Sequence, residues 1–126
     1  MNVLIVIANY YPEISKELKI SAIDKLKNNN YDIINVPGIF EIPVVISRNI
    51  NKYDAFIALG CVIKGETPHF EFISKSFNDG IMKISIDYKK PIGNGVITCL
   101  NKDQAKNRTK KGSEAAEAII QVLKNG

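Results

Sequence analysis

Unbroken apolar runs alternate along the chain with stretches whose apolar residues recur at helical spacing. Short apolar runs without polar alternation are typical of strands buried on both faces of a parallel sheet. The strands are predicted at residues 3–8, 31–36, 55–59 and 96–99. The helices are predicted at residues 13–27, 39–50, from 67 to 80 or beyond, from 101 onward and, after an interruption at Gly112, at 113–123. This alternation predicts an α/β fold with three layers: an open, four-stranded parallel sheet with helices on both faces.

The helical spacing also predicts which side chains point into the core. The predicted inward residues are Ile14, Leu18, Ala22, Leu26, Ile42, Val45, Ile46, Ile50, Phe70, Ile73, Phe77, Ala116, Ile119, Ile120 and Leu123. Asn101 and Gln104 resemble a capping box at a helix start. Residues 91–95, which contain Pro91 and two glycines, are predicted to precede the fourth strand. Residues 82–86 fit either a helix end or a short connection.

Composition and charge narrow the class of protein. With 126 residues, 45% apolar and 24% charged, the chain is expected to form one domain over residues 1–126. No stretch is long enough for a membrane span, and the N-terminus lacks signal-peptide features, so a cytoplasmic protein is expected. Cys61 and Cys99 lack zinc-ligand spacing and suit reduced, half-buried thiols. The net charge of +4 is compatible with phosphate-bearing metabolites, whereas the scattered lysines do not favour nucleic acid.

Ligands of open parallel sheets bind beyond the carboxyl ends of the strands. Residues 9–12, 37–41, 60–69 and 98–101 follow the predicted strands and should crowd that edge. In the third segment the apolar run stops at Gly60, a turn follows, and a helix is predicted to start at Thr67 with the chain's single histidine, His69, in its first turn. A helix start offers unpaired N–H groups to an anion. The alternative is an ordinary turn followed by a surface histidine.

Several blocks of the sequence resemble a known enzyme family. They are Val-Pro-Gly-Ile-Phe-Glu-Ile-Pro at residues 36–43, Gly-Cys-Val-Ile-Lys-Gly-Glu-Thr-Pro-His at 60–69, Pro-Ile-Gly-Asn-Gly-Val-Ile-Thr at 91–98 and Lys-Gly-Ser-Glu-Ala-Ala at 111–116. In this order they are similar to 6,7-dimethyl-8-ribityllumazine synthase, a transferase of flavodoxin-like fold. The resemblance implies condensation of 5-amino-6-(D-ribitylamino)uracil with 3,4-dihydroxy-2-butanone 4-phosphate, the penultimate step of riboflavin biosynthesis. It implies no metal and no organic cofactor.

The resemblance also implies roles for individual residues. His69 matches the proton-transfer histidine, and Glu66, Thr67 and Arg108 match positions that hold the butanone phosphate. The matches to the pyrimidine and ribityl pocket are Tyr10, Ile39, Phe40, Glu41, the backbone of Cys61, Val62 and Ile63, and Asn94. At Asn94 many relatives have an aromatic side chain, so hydrogen bonding would replace stacking there.

Structural alternatives stand beside these roles. Tyr10 fits a turn aromatic, Phe40 fits the core, Glu41 fits a first-turn carboxylate stabilised by the helix dipole, and Arg108 fits a solvated helix residue. A non-catalytic flavin- or pterin-binding module is a second functional hypothesis, and an FMN-binding flavodoxin a third.

Assembly is a further expectation from the resemblance. Family members form homopentamers with active sites shared between adjacent subunits, and some build icosahedral shells. Because this sequence starts directly at its first strand, a pentamer is expected in preference to a shell. The resemblance also allows an association with riboflavin synthase.

Overall fold

The structure is a computed structural model that describes residues 1–65 and 70–126. In these ranges four strands form one parallel sheet in the order β2-β1-β3-β4. The strands are β1 (Asn2–Ala8), β2 (Asn30–Val36), β3 (Ala55–Ile63) and β4 (Ile92–Cys99). The helices are α1 (Pro12–Leu26), α2 (Ile42–Arg48), α3 (Phe70–Tyr88), α4 (Lys102–Lys106) and α5 (Lys111–Asn125), with a 3-10 turn at Ile39–Glu41.

Helices cover both faces of the sheet, which confirms the predicted three-layer α/β fold. On one face α1 and α5 pack against side chains such as Ile5 and Ile57. On the other face α2 and α3 pack against side chains such as Leu4 and Phe56. Because successive side chains of a strand point to opposite faces, strands of continuous apolar sequence supply both cores.

Most of the predicted inward residues are buried. Ile14, Leu18, Ala22 and Leu26 of α1 are all in the core, as the spacing of four predicted. The prediction is wrong for Leu123, which is 41% exposed, because the last turn of α5 extends beyond the part of the helix that packs on the sheet. Residues 82–86 belong to α3, which continues to Tyr88. They are therefore part of a helix and not a short connection.

Two predicted boundaries are wrong because a glycine lies inside a strand and not in a turn. β3 does not stop at Gly60 but continues to Ile63, because β4 pairs with it as far as Ile63↔Cys99. β4 begins at Ile92, so Gly93 lies inside the strand and not in a preceding turn. A Cβ on Gly93 would lie 2.2 Å from the Ala115 carbonyl oxygen of α5. The glycine therefore permits close helix–strand packing.

Helix termini in the C-terminal part follow the predicted capping chemistry. The Asn101 side chain accepts a hydrogen bond from the Gln104 N–H at 2.9 Å. The Gln104 side chain reaches back and accepts from the Leu100 N–H at 2.8 Å, one residue before the expected partner. Gly112 lies within α5, where a Cβ would approach the Leu18 carbonyl oxygen to 2.2 Å. The interruption that was predicted at Gly112 lies instead at residues 107–110, between α4 and α5.

Both cysteines are more buried than the sequence predicted. Cys61 is 5% exposed and Cys99 is 2% exposed. Within residues 1–65 and 70–126, no three His, Cys, Asp or Glu side chains are placed to share a metal ion. None of the helices in the same ranges has the length and apolar character needed to span a lipid bilayer.

Candidate functional site

A cavity of about 310 Å³ opens at the carboxyl ends of β1 and β3. Here the chain leaves β1 toward β2 on one side and β3 lies on the other, which is the switch point where such sheets bind ligands. We call it the switch-point cavity. It is lined by Ala8, Tyr10, Tyr11, Pro37, Gly38, Ile39, Phe40, Glu41, Cys61, Val62 and Ile73.

The loop after β1 brings Tyr10 to the mouth of this cavity. The buried Ser15 hydroxyl donates to the Ala8 carbonyl oxygen at 2.9 Å, and the Asn9 N–H donates to the Val36 carbonyl oxygen at 3.0 Å. These bonds fix the loop to α1 and β2. The Tyr10 ring stands edge-on to the Tyr11 ring with centroids 4.9 Å apart and is 59% exposed, so much of its surface can contact a ligand.

The 3-10 turn after β2 forms another wall of the cavity. The Glu41 Oε1 atom accepts a hydrogen bond from the Gly38 N–H at 3.0 Å, and the Glu41 N–H donates to the Gly38 carbonyl oxygen at 3.2 Å. This closed turn buries Ile39 and leaves Phe40 60% exposed. The structural alternative that placed Phe40 in the core is therefore wrong. Glu41 uses one carboxylate oxygen to hold the turn.

The end of β3 forms the floor. β1 pairs with β3 as far as Ile7↔Leu59, whereas β4 continues beside β3 to Ile63↔Cys99. The last residues of β3 therefore extend beyond the end of β1. The side of β3 that β1 leaves uncovered faces the cavity. Cys61 and Val62 line it, while the Ile63 side chain lies in the core between the sheet and α1.

A second cavity, of about 610 Å³, lies along the outer edge of β4. We call it the edge cavity. Its lining residues are Ser74, Phe77, Asn78, Asn94, Val96, Ile97, Thr98, Asn107, Arg108, Lys110, Lys111 and Glu114. Three cationic side chains and one carboxylate give it the character of an anion site, in contrast to the mainly apolar switch-point cavity.

Arg108 is anchored at this edge of the sheet. Its Nη1 atom donates to the Thr98 carbonyl oxygen at 3.1 Å and lies 3.9 Å from the Cys99 sulfur. A guanidinium has five N–H donors, so this anchoring leaves others to bind an anion. Arg108 lies between α4 and α5 and not inside a helix, and its side chain stays exposed while it donates to a carbonyl oxygen of β4.

The structure thus divides the predicted site residues into two groups. Tyr10, Ile39, Phe40, Glu41, Cys61 and Val62 line the switch-point cavity. Asn94 and Arg108 line the edge cavity instead. Glu66, Thr67 and His69, together with the predicted helix start at Thr67, lie outside the described residues.

Sequence reasoning missed several residues that line these cavities. Lys110 and Lys111 contribute positive charge to the edge cavity, and the signal for them is a basic pair within three residues of Arg108. Tyr11 supports Tyr10 and has the Lys102 ammonium 5.8 Å from its ring centroid. Asn78 contacts Asn94, and no local pattern marks it.

An open parallel sheet with a ligand-sized cavity at its switch point and a cationic cavity beside it defines a small-molecule-binding α/β protein. The sequence model of the 6,7-dimethyl-8-ribityllumazine synthase family matches residues 1–125. The chain therefore belongs to the 6,7-dimethyl-8-ribityllumazine synthase family, whose members are transferases of riboflavin biosynthesis.

Relatives of the same name are similar over nearly the whole chain. The 6,7-dimethyl-8-ribityllumazine synthases of Bartonella tribocorum and Bartonella bacilliformis are 41% and 42% identical to it, covering 97% of this chain and 87% and 88% of their own lengths. The 6,7-dimethyl-8-ribityllumazine synthase 1 of Rhodopseudomonas palustris is 40% identical, over 97% of this chain and 83% of its own. The predicted family, fold class and enzyme function are confirmed.

Proposed function

We propose that the chain condenses 5-amino-6-(D-ribitylamino)uracil with 3,4-dihydroxy-2-butanone 4-phosphate to give 6,7-dimethyl-8-ribityllumazine, phosphate and water. Family membership, together with the cluster of predicted pyrimidine-binding residues around the switch-point cavity, carries this proposal. We also propose that residues 1–126 act as one cytoplasmic domain.

The pyrimidine and its ribityl chain occupy the switch-point cavity. Support comes from the exposed ring of Tyr10, which can pack against a flat heteroaromatic ring, and from the apolar walls at Ile39 and Phe40. The backbone at the end of β3, from Cys61 through Val62 to Ile63, meets the uracil edge. A second carboxylate oxygen of Glu41, beyond the one bonded to Gly38, accepts from ribityl hydroxyls.

The butanone phosphate binds through the edge cavity. Arg108 contacts the phosphate, and its anchoring to the Thr98 carbonyl supports this role because it orients the guanidinium before the substrate arrives. Lys110 and Lys111 add positive charge. Glu66 and Thr67 complete the phosphate site on the basis of the sequence resemblance.

His69 transfers protons during the reaction. The 5-amino group of the pyrimidine attacks the ketone carbon to form an imine with loss of one water, and elimination of phosphate then gives an enol that tautomerises to a carbonyl. The ribitylamino nitrogen attacks this carbonyl, and loss of a second water closes the ring. Each step moves a proton near neutral pH, where imidazole can both accept and donate. His69 follows β3 closely in the chain, and Ile73, four residues later, lines the switch-point cavity, which supports action at that cavity.

The two cavities form one site where neighbouring copies of the chain meet. We propose a homopentamer in which the switch-point cavity of one subunit joins the edge cavity of the next. Several large apolar side chains are exposed in the single subunit, including Phe72 at 70% and Ile86 at 65%, and such exposure is typical of protein interfaces. Light scattering should give a pentamer; a monomer would contradict the shared site.

Association with riboflavin synthase is proposed from the family resemblance alone.

The test of function is a direct assay. The two substrates are mixed with the protein, and the absorbance and green fluorescence of the lumazine are followed against a protein-free blank. We expect product at a rate proportional to protein concentration. The rival hypothesis, a non-catalytic flavin- or pterin-binding module, predicts lumazine binding with no rate above the blank.

A further inference from the structure

The side chain of Asn94 bends back onto its own strand at the open edge of the sheet. Peptide groups of a strand face alternate sides, and those of Pro91 and Cys99 face β3, because their carbonyl oxygens accept from Phe56 N–H and Lys64 N–H. The even-numbered residues of β4 therefore face away from β3. At this open edge the Val96 N–H donates to Asn94 Oδ1 at 3.1 Å.

This hydrogen bond sets the orientation of the Asn94 carboxamide. A backbone N–H can only donate, so the atom that faces Val96 must be the oxygen. The amide nitrogen then lies at the other end of the group, where Nδ2 donates to Asn78 Oδ1 at 3.1 Å. A reversed carboxamide would place two donors together at Val96 and two acceptor oxygens together at Asn78.

Asn78 belongs to α3, so the chain of hydrogen bonds links a helix to the edge of the sheet. Asn78 and Asn94 both line the edge cavity beside Arg108. Within the described residues, Oδ1 of Asn94 is taken up by Val96 and one Nδ2 proton by Asn78. The second proton of the same NH₂ group is left to donate to a ligand.

We propose that Asn78 is a positioning residue, which holds the Asn94 carboxamide with an N–H directed to a hydrogen-bond acceptor, such as a ring carbonyl oxygen, of the pyrimidine bound in the switch-point cavity of the adjoining subunit. This inference rests on the proposed function. Stacking by an aromatic side chain tolerates rotation of the ring, whereas a hydrogen bond needs a defined direction. A carboxamide at position 94 therefore requires a partner that fixes it, and Asn78 provides one.

The test compares Michaelis constants for the two substrates in Asn78→Ala. The variant loses the hydrogen bond that orients the Asn94 carboxamide, and this loss should raise KM for the pyrimidine by about 3- to 10-fold. Both kcat and KM for the butanone phosphate should stay within about twofold, because Asn78 takes no part in proton transfer or phosphate binding. An equal rise in both Michaelis constants, or no rise in either, would overturn the proposal.

Two further variants separate positioning from a general structural effect. Asn78→Asp retains an oxygen that accepts from Asn94 Nδ2, so it should restore a nearly normal KM for the pyrimidine. Asp79→Ala is the matched control on the same helix, because Asp79 pairs with Lys75 at an exposed site; it should leave both constants unchanged. Failure of Asn78→Asp to restore KM would count against the acceptor role.

A double-mutant cycle tests whether Asn78 acts through Asn94. In an Asn94→Ala background, Asn78→Ala should have no additional effect on KM for the pyrimidine; independent, multiplicative effects would contradict the proposal. If the unaltered chain forms no lumazine, the proposed function fails. If it is active and Asn78→Ala behaves like the unaltered chain, only the inference about Asn78 fails.

Discussion

The two cavities of a single subunit differ in chemistry although both adjoin the same sheet. The switch-point cavity is mainly apolar, with tyrosine and phenylalanine at its mouth. The edge cavity is twice as large and is lined by amides and cationic side chains. One suits a flat heteroaromatic ring and the other a phosphate ester. A condensation needs both substrates in contact, which is why we propose that each subunit contributes two complementary halves to shared sites.

The largest effect is expected from His69, because the proposed proton transfer does not depend on which substrate binds in which cavity. His69→Gln should reduce kcat on the order of 10²- to 10⁴-fold, the range of general acid–base catalysis. The variant should keep its pentameric mass by light scattering. Turnover equal to that of the unaltered chain would refute the proton-transfer role.

Arg108→Ala should act on the edge cavity alone. Loss of a charge-assisted contact is expected to raise KM for the butanone phosphate by about 10- to 100-fold, with a much smaller effect on KM for the pyrimidine. Steady-state kinetics with each substrate varied in turn provide the measurement. Lys106→Ala, an exposed cation of the preceding turn that does not line the cavity, is the control. Similar effects of both variants would indicate general electrostatics and not a phosphate contact.

Phe40→Ala should affect the other substrate, the pyrimidine, and not the butanone phosphate. Loss of an apolar contact in the switch-point cavity is expected to raise KM for the pyrimidine by about tenfold and to leave that for the butanone phosphate nearly unchanged. Ile20→Ala removes an exposed apolar side chain from α1, away from both cavities, and should alter neither constant. A rise confined to the phosphate substrate would reverse the assignment of the cavities.

Ser15→Ala tests the support beneath the switch-point cavity and should have the smallest effect. Its buried hydroxyl donates to the Ala8 carbonyl oxygen, so removal should lower the free energy of unfolding by about 1–3 kcal/mol. Chemical denaturation measures the change. Ser85→Ala removes a similar but exposed bond to the Met82 carbonyl and should cost less than about 0.5 kcal/mol. Equal losses would show that burial of the bond is unimportant.

Much of the fold could be predicted because its signals are local. Apolar runs and helical spacing identify the four strands and the inward face of α1. The errors at Gly60 and Gly93 arise because a glycine's usual local meaning is a turn. In this fold a Cβ on Gly60 would lie 3.0 Å from the side chains of Ala8 and Ile39, and that crowding comes from residues distant in the sequence.

Candidate site residues could be named from the sequence, but their arrangement could not. Motifs identify Tyr10, Glu41 and Arg108 as candidates, yet nothing in their order along the chain predicts that Arg108 lines a separate cavity. That division depends on the strand order, which places β4 at an edge with β3 between it and β1. The contact of Asn78 with Asn94 is likewise tertiary, because it joins a helix to a strand edge.

The most direct test of a site shared between copies is complementation between two impaired variants. His69→Gln and Arg108→Ala are co-expressed with different tags, and mixed oligomers are assayed at low butanone phosphate concentration. If each site combines the switch-point cavity of one subunit with the edge cavity of its neighbour, random mixing should restore about one quarter of the unaltered activity. Activity no greater than the average of the two separate variants would contradict the shared site.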